Sequence, residues 1–206
     1  MKIQLAVDRV SIEEAIDIIE KTDCYLDIIE IGTSLIKDFG LESIRRIKQK
    51  FPNSIILADI KTIDEAAYEF EAAYKAGADI ATVMGAASLE TIKICKRVAN
   101  EYGKEYMIDL LETSQEKQET LKQFNDAILC VHLPSDMGGE GLESLIESVL
   151  IKLSDFPNLA VAGGVSISNI NSIKKANFKI VIIGGAITKA ENISEMAKKF
   201  KMLVEG

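Results

Sequence analysis

The chain has few of the residues and segments that mark secreted, metal-clustered or membrane proteins. Its three cysteines, Cys24, Cys95 and Cys130, are widely spaced and form no metal-ligand or redox pair. An odd number of isolated thiols fits a reducing compartment, so we expect a cytoplasmic protein. No apolar stretch approaches the ~20 residues that cross a bilayer, and residues 1–8 lack the apolar run of a secretory signal. We therefore expect no association with membranes.

Positive charge is also scarce. The 206 residues include 24 lysines and arginines against 32 aspartates and glutamates, which gives a formal net charge of −8. Nucleic-acid binding needs a positive field, so we expect no nucleic-acid partner. A small anionic substrate stays compatible with this charge, because a binding site can be locally positive.

Short apolar runs alternate with amphipathic helical stretches from one end of the chain to the other. This alternation predicts a single (β/α)8 barrel domain over residues 1–206, of the α/β class, near the lower size limit of that fold. The alternative is an open doubly wound sheet, but the turn Asp8-Arg9-Val10-Ser11 lacks the glycines that usually follow its first strand. The predicted strands are Ile3–Asp8, Tyr25–Gly32, Ser54–Lys61, Asp79–Gly85, Glu105–Leu111, Ala127–Leu133, Leu159–Gly164 and Lys179–Gly185.

Polar residues stand where these apolar runs end, which is where a barrel carries its active site. They are Asp8, Glu30, Asp59 with Lys61, Asp109 and His132, the only histidine, and Asp64 follows shortly after strand 3. One such residue could simply cap a helix or meet solvent. Charged groups on strands 1, 2, 3, 5 and 6 together favour a functional site.

Asp59 and Lys61 are two residues apart, so a regular strand would direct both side chains to one face. Asp64 could reach back to them or reach a neighbouring chain. An ammonium held between carboxylates stays charged and suits the stabilisation of an enolate oxygen. The alternative is an ordinary ion pair on a solvated rim. Glu30 and Asp59, on adjacent strands, could share a hard cation such as Mg²⁺.

Two glycine pairs, Gly163-Gly164 and Gly184-Gly185, end the last two predicted strands. Glycine there lets backbone N–H groups approach a phosphate, and the loops after strands 7 and 8 are a recurrent phosphate site in this fold. Turn geometry alone is the alternative explanation. A further pair, Gly138-Gly139, suggests a mobile loop over the site or a long surface turn.

The run Asp59-Ile60-Lys61-Thr62-Ile63-Asp64 resembles the Asp-x-Lys-x-x-Asp signature of the orotidine monophosphate decarboxylase superfamily. The segments Ile3–Asp8, Asp27–Thr33, Ala160–Gly164 and Val181–Thr188 resemble one branch of it more closely. That branch is the family of 3-hexulose-6-phosphate synthase and 3-keto-L-gulonate-6-phosphate decarboxylase. The resemblance spans nearly the whole chain, and its motifs fall in the expected order.

The resemblance implies metal-stabilised enediolate chemistry on a sugar phosphate. By position, Glu30 and Asp59 would hold magnesium, and Lys61 would lie near the enediolate oxygens. His132 would move the proton, and Asp64 would act in the site of the neighbouring subunit of a homodimer. Substrate contacts are implied for the other strand ends, namely Asp8 (to substrate hydroxyls, or orienting Lys61), Asp109, Gly163, Gly164, Gly184 and Gly185.

Departures from the family's patterns bear on the reaction. Orotidine monophosphate decarboxylases typically have lysine where Glu30 stands, so this position favours the metal-dependent branch. Asp109, Leu133-Pro134-Ser135 and Gly185 replace residues that are typical of keto-gulonate-phosphate decarboxylases, which favours the synthase. The synthase's own His-Thr-Gly-Tyr-Asp is absent, however. We therefore predict synthase-like aldol addition of ribulose 5-phosphate to formaldehyde, with the decarboxylase, another sugar-phosphate activity and a non-catalytic phosphosugar-binding barrel as alternatives.

Overall fold

The structure is a computed structural model and describes residues 1–134, 136, 141–153, 155–176 and 178–206, with only the backbone of residues 149, 150 and 152. Eight parallel strands close into a barrel in which each strand pairs with the next and the last pairs with the first. The strands are β1 (Lys2–Val7), β2 (Ile28–Ile31), β3 (Ile55–Thr62), β4 (Ile80–Met84), β5 (Glu105–Asp109), β6 (Ile128–His132), β7 (Leu159–Ala162) and β8 (Ile180–Ile183). The predicted (β/α)8 barrel is confirmed, and the open doubly wound sheet is wrong.

Helices follow the strands around the outside of the barrel. Those in the described residues are α1 (Ile12–Glu20), α2 (Thr33–Phe39), α3 (Glu42–Lys50), α4 (Ala66–Ala76), α5 (Leu89–Tyr102), α6 (Gln115–Leu121), α7 (Leu142–Leu153), α8 (Ile170–Lys175), α9 (Gly185–Thr188) and α10 (Ile193–Glu205). None of them is long and apolar enough to span a membrane. The pair Gly138-Gly139 and Ser135 lie outside the described residues.

Local sequence signals set the helix ends. Ser11 and Glu14 form a capping box at the start of α1, which satisfies backbone N–H groups that the first helical turn leaves unpaired. Ser88 caps α5 by accepting from the Thr91 N–H. Gly77 and Gly103 end α4 and α5 with positive φ, a conformation that glycine adopts without steric cost.

Both faces of the strands are buried, and each face packs into its own apolar layer. One layer lies between the barrel and the helices and is the larger of the two. The other fills the inside of the barrel with side chains such as Ile28, Leu57, Ile80, Met107 and Ile182. Because the barrel interior is filled below, a ligand can enter only at the carboxyl ends of the strands.

Strand β3 departs from regular geometry at its carboxyl end. Its pairing with β4 shifts between Ala58 and Thr62, where two extra β3 residues oppose a shorter stretch of β4. Lys61 lies within this bulge and has a left-handed backbone, with φ of 48°. The Asp59 and Lys61 side chains do meet, as expected, but a bulge and not a regular strand brings them together, because a bulge re-aims the side chains that it contains.

Candidate active site

A cavity of about 1090 Å³ opens at the carboxyl ends of the strands. The predicted site residues that line it are Asp8, Glu30, Asp59, Lys61, Asp109, His132, Gly163, Gly164, Gly184 and Gly185. Strand ends that are far apart in the sequence therefore meet in one place, as the barrel prediction requires. Asp64 is the exception, since it is not among the lining residues.

The Lys61 ammonium lies between two carboxylates. Its Nζ is 3.0 Å from Asp59 Oδ2 and 2.9 Å from Asp109 Oδ2. The Asp109 side chain is only 3% exposed and that of Asp59 9%, so the pair is not a solvated rim contact. Burial disfavours the charged form of Lys61, but the two carboxylate charges outweigh burial and raise its pKa above the usual value. Lys61 is thus a fixed, permanent cation, and its second partner is Asp109 rather than Asp64.

Asp109 also holds His132. The Nδ1 atom of His132 lies 2.8 Å from Asp109 Oδ2, the oxygen that Lys61 contacts. Burial alone would raise the pKa of Asp109, but the hydrogen bond and charge of His132 and the charge of Lys61 lower it to about 2. An ionised carboxylate only accepts hydrogen bonds, so Nδ1 carries the hydrogen. Nε2 is then the ring nitrogen that can take a proton.

Two threonines that the sequence analysis did not single out hold Asp59. Thr33 donates to Asp59 Oδ2 at 2.6 Å, and Thr82 donates to Asp59 Oδ1 at 2.9 Å. The Thr82 hydroxyl also accepts from the Lys61 backbone N–H at 2.9 Å, which ties the bulge to β4. Thr82 is the one hydroxyl within the apolar run of β4, and that isolation is the signal that could have revealed it.

Glu30 is buried on β2, where Gln4 donates from Nε2 to its Oε2 at 2.5 Å. Burial, and then the charge of Asp59, raise the pKa of Glu30 to about 8. Glu30 and Asp59 share the charge of Lys61 with Asp109, so a divalent cation would supply the positive charge that these three buried carboxyl groups still lack. In the part of the chain that the structure describes, no group of three or more His, Cys, Asp or Glu forms a ligand cluster. One or two carboxylates suffice for Mg²⁺, so the residues fit that ion.

Asp8 is held by the start of α2. The Ser34 hydroxyl and backbone N–H donate to Asp8 Oδ1 at 2.7 and 3.0 Å. The suggestion that Asp8 orients Lys61 is wrong, since the ammonium is bound by Asp59 and Asp109. The Asp8 carboxylate is exposed and lines the cavity, which leaves the interpretation that it contacts substrate hydroxyls.

The two glycine pairs differ in what the fold requires of them. Gly163 has φ of 83°, and an added Cβ would lie 2.1 Å from the Leu133 carbonyl oxygen, so packing and backbone already demand glycine there. At Gly185 an added Cβ would meet only the Lys189 side chain, at 3.6 Å. Turn geometry therefore explains Gly163, whereas Gly185 needs another reason, such as the approach of a ligand.

Three cations at the cavity were missed by the sequence analysis. Arg9, Lys37 and Lys189 line the cavity and are exposed. Lys189 lies beside Gly185, as the contact distance above shows. These side chains add positive charge to the cavity wall, although the chain as a whole is acidic. The available signal was the position of Lys189 at the end of α9, the short helix that begins at Gly185.

Asp64 lies between β3 and α4 and is exposed. Its neighbours Ile63 and Tyr68 are also exposed, at 55% and 73%. Much of the wide apolar surface of α4 packs on its own barrel, since Phe70 and Tyr74 are buried. Tyr68 is the large side chain of this helix that stays exposed. The structure does not bring Asp64 into the cavity of its own chain.

The sequence matches the orotidine 5'-phosphate decarboxylase / HUMPS family over residues 1–200. The chain belongs to this family. It is 34% identical over 207 residues to the 3-hexulose-6-phosphate synthase of Bacillus subtilis (strain 168), with 99% of each chain covered. This chain is therefore an enzyme of the lyase class.

Solved structures agree with this assignment. The structure of 3-hexulose-6-phosphate synthase from Salmonella typhimurium superposes with a TM-score of 0.93 at 31% identity, covering 100% of this chain and 99% of the other. That of 3-keto-L-gulonate-6-phosphate decarboxylase from Vibrio cholerae superposes with a TM-score of 0.88 at 26% identity, covering 99% and 97%. Both activities therefore occur on this fold among the protein's relatives.

The buried Asp109 carboxylate makes stability depend on acid pH. Its pKa falls from 3.8 to about 2 on folding, so its contribution is complete above pH ~4 and is lost as the pH falls towards about 2. We expect Asp109→Asn to lower the free energy of unfolding by roughly 2 kcal/mol near pH 7, and the deficit to shrink below pH ~4. Urea unfolding of the wild type and of Asp109→Asn from pH 7 to pH 3 measures the difference in free energy of unfolding. Asp17→Asn, which removes an exposed ion pair with Lys21, is the control and should change little at any pH. A deficit that is the same at pH 7 and pH 3 would contradict the expectation.

Proposed function

We propose that the enzyme catalyses a 3-hexulose-6-phosphate synthase-like aldol condensation of ribulose 5-phosphate with formaldehyde, and the reverse reaction, through an enediolate. The observation that carries this proposal is the connected array of Asp59, Lys61, Asp109 and His132 in one cavity. It combines a fixed cation with a base whose tautomer is set. Those are the two groups that are needed to form an enediolate and to stabilise it.

In the proposed reaction, Nε2 of His132 takes the proton from the substrate carbon beside the carbonyl. The electron pair of the broken C–H bond moves onto the carbonyl oxygen, and the Lys61 ammonium stabilises the negative charge that forms there. The enediolate carbon then bonds to the carbon of formaldehyde. The alkoxide that results takes the proton back from His132, so the base is regenerated and no proton is gained or lost.

Mg²⁺ is the proposed cofactor, and Glu30 with Asp59 would hold it. When bound, the ion supplies additional positive charge for the oxygens of the enediolate. Thr33 and Thr82 fix both oxygens of Asp59, so this carboxylate is oriented before any ligand arrives. Proteins commonly support a metal-binding carboxylate by hydrogen bonds of this kind.

The phosphate would bind on the other side of the barrel mouth. Strands β7 and β8, which carry the glycine pairs, lie across the closed barrel from β3 and β4. The glycines would let backbone N–H groups approach the phosphate, and Lys189 beside Gly185 would add a positive charge. The carbonyl end of the sugar would then reach Lys61, with Asp8 close to its hydroxyls.

The second candidate is the 3-keto-L-gulonate-6-phosphate decarboxylase reaction, which the likeness to the Vibrio cholerae structure supports. Loss of carbon dioxide would generate a similar enediolate at the same array. We favour the synthase because the 34% identical relative carries that name and because Asp109 stands where decarboxylases typically have glutamate. A non-catalytic phosphosugar-binding barrel would not need the array.

A cytoplasmic location and the lack of a nucleic-acid partner stay predictions from composition.

The direct test is to incubate the purified protein with ribulose 5-phosphate, formaldehyde and Mg²⁺ and to identify the products by NMR. We expect a hexulose 6-phosphate, no activity in excess EDTA, and recovery when Mg²⁺ is restored. Glu30→Gln should weaken the dependence on metal while the barrel stays folded. A parallel incubation with 3-keto-L-gulonate 6-phosphate tests the second candidate. Full turnover in excess EDTA would exclude the metal-assisted mechanism, and loss of carbon dioxide without aldol activity would exclude the synthase.

His132 can be tested by isotope exchange without formaldehyde. We expect His132→Asn to slow the wash-in of deuterium at the substrate carbon of ribulose 5-phosphate by about 10²–10⁴-fold, since it removes the general base. NMR follows the exchange. Displacement of the sugar phosphate by inorganic phosphate confirms that the variant still binds the substrate. The control is Cys130→Ala on the same strand, because burial raises the pKa of this thiol well above its usual value and keeps it unreactive. Exchange at the wild-type rate in His132→Asn would remove His132 from the mechanism.

We further propose a homodimer in which Asp64 completes the partner's site, because Asp64 is exposed beside Ile63 and Tyr68 and does not line its own cavity. Asp64→Ala and Lys61→Ala should each be inactive alone. Once their subunits are mixed and exchanged, each mixed dimer should regain up to about half of wild-type activity, because one of its two sites has both residues. Differently tagged subunits report the exchange. Mixtures that exchange yet stay inactive would show that Asp64 serves its own chain.

A further inference from the structure

We propose that Gln4 is a positioning residue, whose side-chain amide fixes the Glu30 carboxylate in the orientation in which Glu30 binds a divalent cation. This inference rests on the metal site proposed above. Gln4 is not among the residues that line the cavity, and the resemblance of Ile3–Asp8, the segment that contains it, implies no role for it. It would act through Glu30 and not on the substrate.

Gln4 lies inside the barrel, one layer below the site. It is fully buried on β1, where its register partners are Ile28 on β2 and Ile182 on β8. Both partners belong to the apolar cluster that fills the barrel interior. Gln4 is therefore a polar side chain in an apolar layer, and its amide donates to Oε2 of Glu30 at 2.5 Å.

The hydrogen bond engages one oxygen of Glu30 from below. Glu30 itself lines the cavity, and across the described residues no hydrogen bond to its Oε1 is formed. The carboxylate is thus anchored by Oε2 and presents Oε1 to the space that Asp59 and Lys61 also line. Such an arrangement leaves one oxygen for a cation and prevents the carboxylate from rotating away.

The anchoring residue carries an energetic cost. The other end of the amide, Gln4 Oε1, is buried and has no hydrogen-bond partner within the described part of the chain. A buried acceptor without a donor costs about 1–3 kcal/mol, whereas an apolar side chain would fill this layer without that cost. An amide that carries this cost and donates to Glu30 fits a functional role better than a packing role.

The neutrality of the amide also fits this role. Lysine or arginine at the same place would donate to Glu30 but would neutralise its charge and compete with the cation. A glutamine donates without a charge of its own, so it favours the ionised form of Glu30 and does not compete with the cation. Residues that orient metal ligands in this way typically change metal affinity by about 10–100-fold when they are substituted.

The test measures Mn²⁺ binding without substrate, by electron paramagnetic resonance of the unbound ion. We expect Gln4→Met, which has a similar length and no donor, to bind Mn²⁺ about 10–100-fold more weakly than the wild type while circular dichroism shows a folded barrel. The matched control is Ile28→Val, which loosens the packing of the same layer and leaves the hydrogen bond to Glu30 intact. Its affinity for Mn²⁺ should match that of the wild type.

The outcomes separate this inference from the proposed metal site. If the wild type binds no Mn²⁺, the metal site is wrong, and the role of Gln4 falls with it. If the wild type binds and Gln4→Met binds equally well, or if Ile28→Val is weakened as much, the amide does not position Glu30. Should Gln4→Met fail to fold, Gln4→Asn, which keeps the amide but shortens its reach, is subject to the same criteria.

Discussion

The contact on which the site depends is the buried ammonium of Lys61, shared between Asp59 and Asp109. Each partner is fixed further, Asp59 by two threonine hydroxyls and Asp109 by His132 and the backbone N–H of Leu111. Removing any one charge would leave another without compensation in a place that water reaches poorly. The array therefore sets the charge of the lysine, the tautomer of the histidine and the orientation of the Asp59 carboxylate together.

This array exists because the barrel closes. Its members come from β3, β5 and β6, and the closed order brings the ends of these strands to one side of the cavity. The bulge in β3 gives Lys61 a backbone conformation that a regular strand does not have. It turns the Lys61 backbone to a positive φ, at a small local cost, and the Lys61 N–H then bonds to Thr82 on β4. Strained backbone at a site of this kind persists because its surroundings hold it in place.

The sequence was sufficient for the fold and for the charged strand-end residues that line the cavity, because both depend on patterns that run along the chain. Alternating apolar runs predicted eight strands, and a charged residue directly after such a run must lie at the barrel mouth. The pairing of Lys61 with Asp109 could not be predicted, since it depends on which strands face one another and on a bulge that no motif marks. Thr82 and Gln4 were missed for a related reason. A single hydroxyl or amide within an apolar strand acquires its meaning only from the carboxylate that the fold brings beside it.

The balance of charge explains why the two ends of the cavity differ. The buried carboxyl groups of Glu30, Asp59 and Asp109 outnumber the one ammonium group between them, that of Lys61, so this part of the cavity would disfavour a phosphate. The β7–β8 side offers glycine backbone and the nearby Lys189 instead. An anionic sugar phosphate would thus be oriented before it reacts, with its phosphate at β7 and β8 and its carbonyl end towards Lys61. The excess of carboxyl groups at that end would also favour the proposed divalent cation, so the same imbalance would orient the substrate and retain the metal.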